Sequence, residues 1–171
     1  SDKIAHFLIS QHPGEKNIGI AMKRGASMII AALGVLKAGC TYVPLDLANP
    51  HQRLSFILQD CNIQTILCDG LLPLHFDSTK SISINSIEGE LPNNTSLPHV
   101  KSNQNAYIIY TSGTTGMPKG IPITHGQMSN LIQNEKVLFQ LTPDSIVLQY
   151  ASINFDASIT EIFTTLATGS T

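Results

Sequence analysis

One stretch, residues 107–120, limits what this chain can fold into more than any other. Residues 107–110 form an apolar run of aromatic and β-branched residues, which favours a buried strand. Small and hydroxyl-bearing residues follow at once. Glycine lets the backbone approach a ligand closely, and successive N–H groups form a concavity that binds anions. The stretch therefore predicts a strand that ends in a phosphate-binding loop. The candidate phosphate contacts are Thr111, Ser112, Gly113, Thr114, Thr115, Gly116 and Lys119.

The loop differs from the two common nucleotide-binding patterns. A Walker A loop ends in Gly-Lys-Ser/Thr, whereas Lys119 stands between Pro118 and Gly120. The spacing of a dinucleotide-binding GxGxxG motif is absent as well. An ordinary polar turn after a strand is the plain alternative, with Lys119 a solvated surface charge. The concentration of hydroxyls and glycines beside a lysine favours phosphate binding.

Helical and extended patterns alternate along the chain, which predicts an α/β fold with a parallel sheet and helices on both faces. The predicted strands are residues 17–22, 41–45, 63–68, 81–84, 107–110, 121–123 and 145–150. The predicted helices are residues 2–11, 26–37, 50–61, a helix that begins at 124, and 157–167. Residues 70–104, rich in Ser, Asn and Pro, read as an irregular connector within one domain that spans residues 1–171.

Local signals predict where several helices begin and end. Gly39 is the expected stop of the second helix, and Asn49 the expected cap of the third, with Pro50 as its first residue. Thr124 with Gln127, and Ser158 with Glu161, have the spacing of a capping box. Apolar residues predict the buried faces of the last two helices. These are Met128, Leu131, Ile132 and Leu138 in one, and Ile159, Ile162, Phe163 and Leu166 in the other.

Asp156 is the sharpest single candidate for ligand binding. Ligands of open α/β sheets bind at the carboxyl ends of the strands. The loops after residues 110 and 150 should therefore meet at one edge, where a single ligand could touch both Thr111 and Asp156. A carboxylate there pairs with a cation, yet Asp is also a common helix cap, and both roles are compatible. For Arg53, pairing with Asp60 and plain exposure to water stay open.

Composition narrows the class of protein. The chain has 171 residues and a net charge of −2, which predicts neither nucleic acid nor an anionic membrane as a partner. Its longest apolar run, residues 28–36, is too short to span a bilayer. Three cysteines without a CxxC pair indicate buried thiols in a reducing compartment, and we expect a cytoplasmic protein. The six histidines have no metal-ligand spacing, so no protein-held metal is expected.

The letters YTSGTTGMPKG closely resemble the phosphate-binding motif of the adenylate-forming enzymes. This superfamily comprises acyl-CoA synthetases, luciferases and the adenylation domains of nonribosomal peptide synthetases. Residues 36–46 and 154–158 are similar to two further motifs of the amino-acid-activating branch, in the same order. Residues 47–52 depart from the usual continuation of the first of these. The resemblance implies part of the large N-terminal subdomain of an adenylation domain, and a chain that is a piece of a larger enzyme.

The resemblance also implies a reaction and its participants. ATP with Mg²⁺ and an amino acid would form an aminoacyl-adenylate and pyrophosphate. The acyl group would then pass to the phosphopantetheine thiol of a carrier protein. Asp156 would bind the substrate ammonium, while Ala157 and Thr160 would line the side-chain pocket. No catalytic residue is expected within these residues, because the family's lysine lies downstream, and we expect the isolated chain to be inactive.

Two rival functions remain open at this stage. The first is activation of a fatty or aryl acid toward CoA, which would leave Asp156 without an ammonium to bind. The second is a non-catalytic nucleotide-binding module that kept the fold. Intact activity in Asp156→Ala would favour the first rival over amino acid activation. Nucleotide binding without pyrophosphate release would favour the second.

Overall fold

The described residues form a six-stranded sheet in a computed structural model, which describes residues 1–70, 72, 76, 79–87, 96–112 and 117–171. The strands are β1 (Asn17–Ala21), β2 (Thr41–Pro44), β3 (Thr65–Cys68), β4 (Lys80–Ser83), β5 (Asn105–Ser112) and β6 (Pro118–Thr124). Their order is β4-β3-β1-β2-β5-β6, and the first five are parallel. The predicted α/β class with a parallel sheet is confirmed.

Helices cover both faces of this sheet. They are α1 (Asp2–Gln11), α2 (Ala26–Lys37), α3 (His51–Asp60), α4 (His125–Leu138), α5 (Ala157–Ile159) and α6 (Thr165–Thr168). A π-helix, Thr160–Thr164, joins α5 to α6. Side chains of neighbouring strand residues point to opposite faces. Accordingly Tyr42 packs in the cluster with α1, α2 and the π-helix, and Val43 packs in the cluster with α3.

The ends of α2 and α3 follow from left-handed residues placed after them. Gly39 has φ of 74°, its N–H donates to Leu36, and the N–H of Cys40 donates to Val35. This is a Schellman motif, and the predicted stop at Gly39 is confirmed. Asn62, with φ of 48°, ends α3 in the same way. Each turn feeds the chain directly into a following buried strand.

The phosphate-loop stretch belongs to a β-hairpin, which the sequence did not predict. β6 pairs antiparallel with β5, and it is longer than the predicted segment 121–123. Thr111 pairs with Lys119, and Ser112 pairs with Pro118. These three candidate contacts therefore lie on strands rather than in a free loop. Gly113, Thr114, Thr115 and Gly116 lie outside the described residues.

Two predictions about α3 and the connector have different outcomes. The prediction for Asn49 is wrong, because α3 begins at His51 with Pro50 in the cap position, and the Asn49 amide donates to the Asp46 carbonyl at 3.1 Å. The strand expected within residues 70–104 is confirmed. It is β4, which pairs with β3 at the edge of the sheet, so the connector contributes to the fold.

The last third of the chain departs most from the sequence patterns. Residues 145–150 are not a strand of the sheet, and Ser145 and Val147 instead bond to the backbone of Thr171. The predicted buried faces are partly wrong. Ile159, Ile162, Phe163 and Met128 are buried, and Ile132 packs against the core, whereas Leu131, Leu138 and Leu166 are exposed. Within the described residues, no helix combines the length and the apolar character needed to cross a membrane.

Candidate functional site

A cleft of about 840 Å³ opens at the carboxyl ends of β2 and β5. Its walls come from the β2–α3 loop, α3, the β5–β6 hairpin, α4 and the segment before α5. The lining residues are Asp46, Asn49, Arg53, Tyr107, Ile109, Tyr110, Thr111, Ser112, Ile121, Ile123, Gln127, Met128, Leu131, Asn154, Phe155 and Asp156. The floor is largely apolar and the rim is polar, which is the usual make-up of a small-molecule site.

Three of the candidate residues from the sequence share this cleft. Thr111 and Ser112 are exposed at the end of β5, and Asp156 is exposed in the segment just before α5. Lys119 is exposed on β6 and is not among the lining residues. The expectation that one ligand could reach both Thr111 and Asp156 therefore fits the geometry, while the role of each residue stays a prediction.

Tyr110 anchors the hairpin to α3. Its hydroxyl donates to an Asp60 carboxylate oxygen at 2.5 Å and lies 3.0 Å from the Cys61 sulfur. Burial raises the pKa of the Tyr110 phenol far above its ordinary value, and the bonds to Asp60 and Cys61 act in the same direction. The phenol therefore stays protonated and keeps donating. This bond fixes the end of β5, and with it Thr111 and Ser112.

Asp156 combines a structural bond with an open carboxylate. One of its oxygens accepts from the Ala157 amide at 2.9 Å, so the expected capping role is confirmed. The side chain is otherwise exposed to the cleft. Burial raises the pKa of the nearby Tyr107 phenol to about 12, and the negative charges of Asp156 and Glu135 contribute to the shift. This corner of the cleft is therefore negative, as a cation site requires.

The Thr160 hydroxyl, expected to face a substrate side chain, is bound within the protein. It donates to one Glu135 oxygen at 2.7 Å, and Thr164 donates to the other at 2.8 Å. Glu135, which interrupts the apolar pattern of α4, thus ties that helix to the π-helix. Ala157 is exposed and Thr160 half-buried, and neither is among the residues that line the cleft. Their substrate-binding roles stay predictions.

The capping box expected from Ser158 and Glu161 is wrong. Ser158 donates to the Phe155 carbonyl at 2.6 Å. Glu161 accepts from the amides of Tyr150 and Ala151 at 2.9 and 2.8 Å. The glutamate therefore holds the preceding segment against the π-helix. The box at Thr124 and Gln127 is confirmed, with both reciprocal bonds present.

Sequence reasoning missed two charged residues of the cleft. Asp46 follows β2 at the same edge as Thr111, a position that strand order alone could have flagged. For Arg53, only pairing with Asp60 or exposure to water was considered, and the Asp60 carboxylate instead accepts from Tyr110. Among the side chains that the structure describes, no group of three or more His, Cys, Asp or Glu is placed to hold a metal ion.

A family model described as AMP-binding enzyme matches residues 1–171. The chain belongs to the AMP-binding enzyme family. The resemblance to adenylate-forming enzymes drawn from residues 107–120 is thereby confirmed over the whole chain.

Curated relatives of this AMP-binding chain include large synthetases. Chondramide synthase cmdD of Chondromyces crocatus is 42% identical over 177 residues, which cover 99% of this chain and 4% of the synthase. Phosphinothricin tripeptide synthetase PhsB of Streptomyces viridochromogenes is 38% identical over 179 residues, which cover 100% of this chain and 15% of the synthetase. A probable non-canonical nonribosomal peptide synthetase, CymA of Salinispora arenicola, is 40% identical over 172 residues, which cover 100% of this chain and 2% of the synthetase. The chain thus spans a small part of these relatives.

Solved structures support the fold. The AMPPNP-bound form of the nonribosomal peptide synthetase FmoA3 matches with a TM-score of 0.84 and 26% identity, over 98% of this chain and 18% of that one. The N-terminal subdomain of Klebsiella oxytoca NpsA matches with a TM-score of 0.85 and 22% identity, over 99% of this chain and 44% of that one. The expected fold, that of an N-terminal subdomain, is confirmed.

Proposed function

We propose that the protein carrying this chain activates an amino acid with ATP as part of nonribosomal peptide synthesis. The observation that carries the proposal is the single cleft lined by Thr111, Ser112 and Asp156. A molecule with phosphates at one end and an ammonium at the other would satisfy both the hydroxyls and the carboxylate. An aminoacyl-adenylate and its precursors are such molecules.

In the proposed reaction, a carboxylate oxygen of the amino acid attacks the α-phosphorus of ATP. A new P–O bond forms, the bond to the β-phosphate oxygen breaks, and pyrophosphate leaves with the electron pair. The hydroxyls of Thr111 and Ser112 supply donors toward the phosphates. Mg²⁺ arrives with the nucleotide as part of the substrate and offsets its negative charge. Donors held in advance stabilise charge that develops on the phosphoryl oxygens.

Asp156 orients the amino acid in this proposal. Its carboxylate pairs with the α-ammonium, and the negative surroundings of Tyr107 favour that cation further. The helix cap at Ala157 uses only one oxygen, which leaves lone pairs for the ligand. Ala157 and Thr160 would then meet the substrate side chain. The π-helix that contains Thr160 is a rare conformation often found at functional sites.

The later steps of the proposal involve other parts of the larger protein. The acyl group passes to the phosphopantetheine thiol of a carrier domain, with release of AMP. The lysine that assists adenylation belongs to the rest of the adenylation domain, so the 171 residues alone should not turn over. We place the reaction in the cytoplasm, where the three free thiols persist without pairing.

The test is exchange of labelled pyrophosphate into ATP by the intact adenylation domain that carries this sequence. Each common amino acid is supplied in turn, with a fatty acid and an aryl acid alongside. Strong exchange with one or two amino acids supports the proposal and names the substrate. Exchange only with fatty or aryl acids would replace the substrate class. Nucleotide binding without any exchange would indicate a non-catalytic module.

A further inference from the structure

Arg53 is the charged side chain of the cleft whose situation the fold does not explain. It lies on α3 and lines the same cleft as Tyr110 and Thr111. Its Nε atom is buried, and within the described residues it has no hydrogen-bond partner. The ion pairs found in that part of the chain join His12 to Glu15 and Lys37 to Asp2, so they do not involve Arg53.

A buried Nε–H donor of a guanidinium without a partner is costly. A buried donor left unsatisfied loses its hydration without compensation, and charged groups lose most. The chain's other arginine, Arg24, does not carry this cost, because it is exposed to water and also donates to the Gln149 carbonyl at 3.2 Å. Such a cost is expected to persist where a ligand offsets it. A planar guanidinium matches phosphate oxygens in a bidentate geometry.

The position of Arg53 relative to the hairpin is fixed by α3 itself. Arg53 and Asp60 are seven residues apart, which places them on the same side of the helix, about 10 Å apart along its axis. Asp60 accepts the Tyr110 hydroxyl, so this side of α3 is the one bound to β5. Arg53 lies nearer the start of α3, toward the carboxyl ends of the strands, where Thr111 and Ser112 project.

We propose that Arg53 binds the polyphosphate chain of ATP, opposite the hydroxyls of Thr111 and Ser112. The inference rests on the proposed function and adds a contact to it. The positive charge and the two donor edges of Arg53 would meet the β- and γ-phosphates. They would also meet the pyrophosphate that these groups become. Asp156 would hold the amino acid, so the cleft separates the two substrates by charge.

The experiment measures Kd for AMPPNP and for AMP, together with KM for ATP and for the amino acid. The protein is the intact adenylation domain in three forms: wild type, Arg53→Gln and Arg53→Lys. Loss of charge-assisted phosphate bonds in Arg53→Gln should weaken AMPPNP binding by about tenfold to 100-fold, with KM for ATP rising in parallel. Affinity for AMP and KM for the amino acid should change less than twofold. Arg53→Lys, which keeps the charge but not the fork, should fall between.

The matched control is Lys37→Gln, which removes one positive charge from a surface pair with Asp2, away from the cleft. It should leave all four constants unchanged. An unchanged AMPPNP affinity in Arg53→Gln, in a wild-type background that performs exchange, would overturn the role of Arg53 and leave the proposed function intact. Equal losses for AMPPNP and AMP would also overturn it. A wild-type domain without any exchange would refute the proposed function itself. If Arg53→Gln does not fold, Arg53→Lys provides the same test, because its Kd for AMPPNP should rise while its Kd for AMP should not.

Discussion

Each end of the sheet carries a cavity, and the two cavities differ in how their charged side chains are hydrogen-bonded within the protein. At the amino ends of β1 and β3, a cavity of about 640 Å³ is lined by His12, Glu15 and Asn17. Glu15 accepts from the amides of Gln64 and Thr65 at 3.0 and 2.6 Å, and lies 3.4 Å from His12. Asn17 donates to the Cys61 carbonyl at 2.8 Å. Glu15 and Asn17 are thus already used to hold the chain together, whereas the Nε2 of His12 is buried without a hydrogen-bond partner within the described residues.

At the carboxyl ends of the strands, two charged side chains that line the cleft have hydrogen-bonding capacity that the protein does not use. Asp156 accepts from one adjacent amide, and the buried Nε of Arg53 has no hydrogen-bond partner within the described residues. Cavity size therefore says little about function here, because the two cavities are comparable. What differs is the bonding of the charged groups, because the Glu15 carboxylate accepts from two amides within the protein, whereas Asp156 and the Nε of Arg53 keep capacity for a ligand. Substitutions at three positions and one alkylation experiment test this distinction, from the largest expected effect to the smallest.

The largest effect is expected at Asp156. Asp156→Ala in the intact domain should lower kcat/KM for the amino acid by about 100-fold, because a charge-assisted bond to the ammonium is lost. Pyrophosphate exchange measures it. Asp156→Asn is the matched control for the helix cap, since an amide oxygen can still accept from Ala157. It should lose nearly as much activity while it keeps the melting temperature. Full activity in both variants would favour an acid substrate without an ammonium.

Glu15 should behave in the opposite way. Glu15→Ala leaves the amides of Gln64 and Thr65 without their acceptor and should lower the free energy of unfolding by about 2 kcal/mol. KM for ATP and for the amino acid should not change. Denaturant unfolding measures the free energy of unfolding, and pyrophosphate-exchange kinetics of the same preparation measure the two KM values. A selective rise in one KM would mean that the amino-end cavity takes part in binding.

Glu135, which accepts from Thr160 and Thr164, lies near the cleft but should contribute to stability, as Glu15 does. Thr164→Val removes one of the two hydroxyls that donate to Glu135 while it keeps the shape of a buried residue. We expect a loss of about 1 kcal/mol in unfolding free energy, the usual net value of one hydrogen bond. Thermal melting of the intact domain checks this. A stability equal to wild type would show that the bond between α4 and the π-helix contributes nothing.

The smallest effect concerns Cys40, beside the amino-end cavity. Burial, with a further contribution from Glu15, raises the pKa of the Cys40 thiol from 9.0 to about 11. The fold thus favours the neutral thiol, and the stability linked to it is complete below pH 9 and is lost as pH rises to about 11. At pH 8 its thiolate fraction is about 100-fold below that of an ordinary thiol. Alkylation of Cys40 in the native state, followed by mass spectrometry, should be correspondingly slow. Reaction at the rate of an unfolded control would contradict this.

Local signals in the sequence predicted the features that depend on a few neighbouring residues. Gly39 and the box at Thr124 are examples, because a left-handed turn and a capping box involve only adjacent backbone groups. The meeting of Thr111 and Asp156 at one cleft was also predicted, but the rule that strand ends share an edge applies only to β5, because residues 145–150 are not a strand of the sheet. The antiparallel course of β6 was missed, since residues 121–123 alone do not reveal a partner strand.

The missed contacts share a physical cause. Glu161 has capping-box spacing, yet it binds the amides of residues 150 and 151, which come close only after the chain has folded. Arg53 could be assigned to Asp60 by helical spacing, whereas Tyr110, 50 residues beyond Asp60, takes that carboxylate. Long-range competition for a hydrogen-bonding group is invisible to local patterns.

The most direct test is hydrogen exchange in the intact domain, with and without the sulfamoyl analogue of the aminoacyl-adenylate formed from its own amino acid. Binding in the carboxyl-end cleft should slow exchange of the amides in residues 107–112 and 154–160. Residues 61–65, at the amino-end cavity, should exchange as before. Protection confined to residues 61–65, or none at 107–112 and 154–160 with the analogue saturating, would contradict the proposed site.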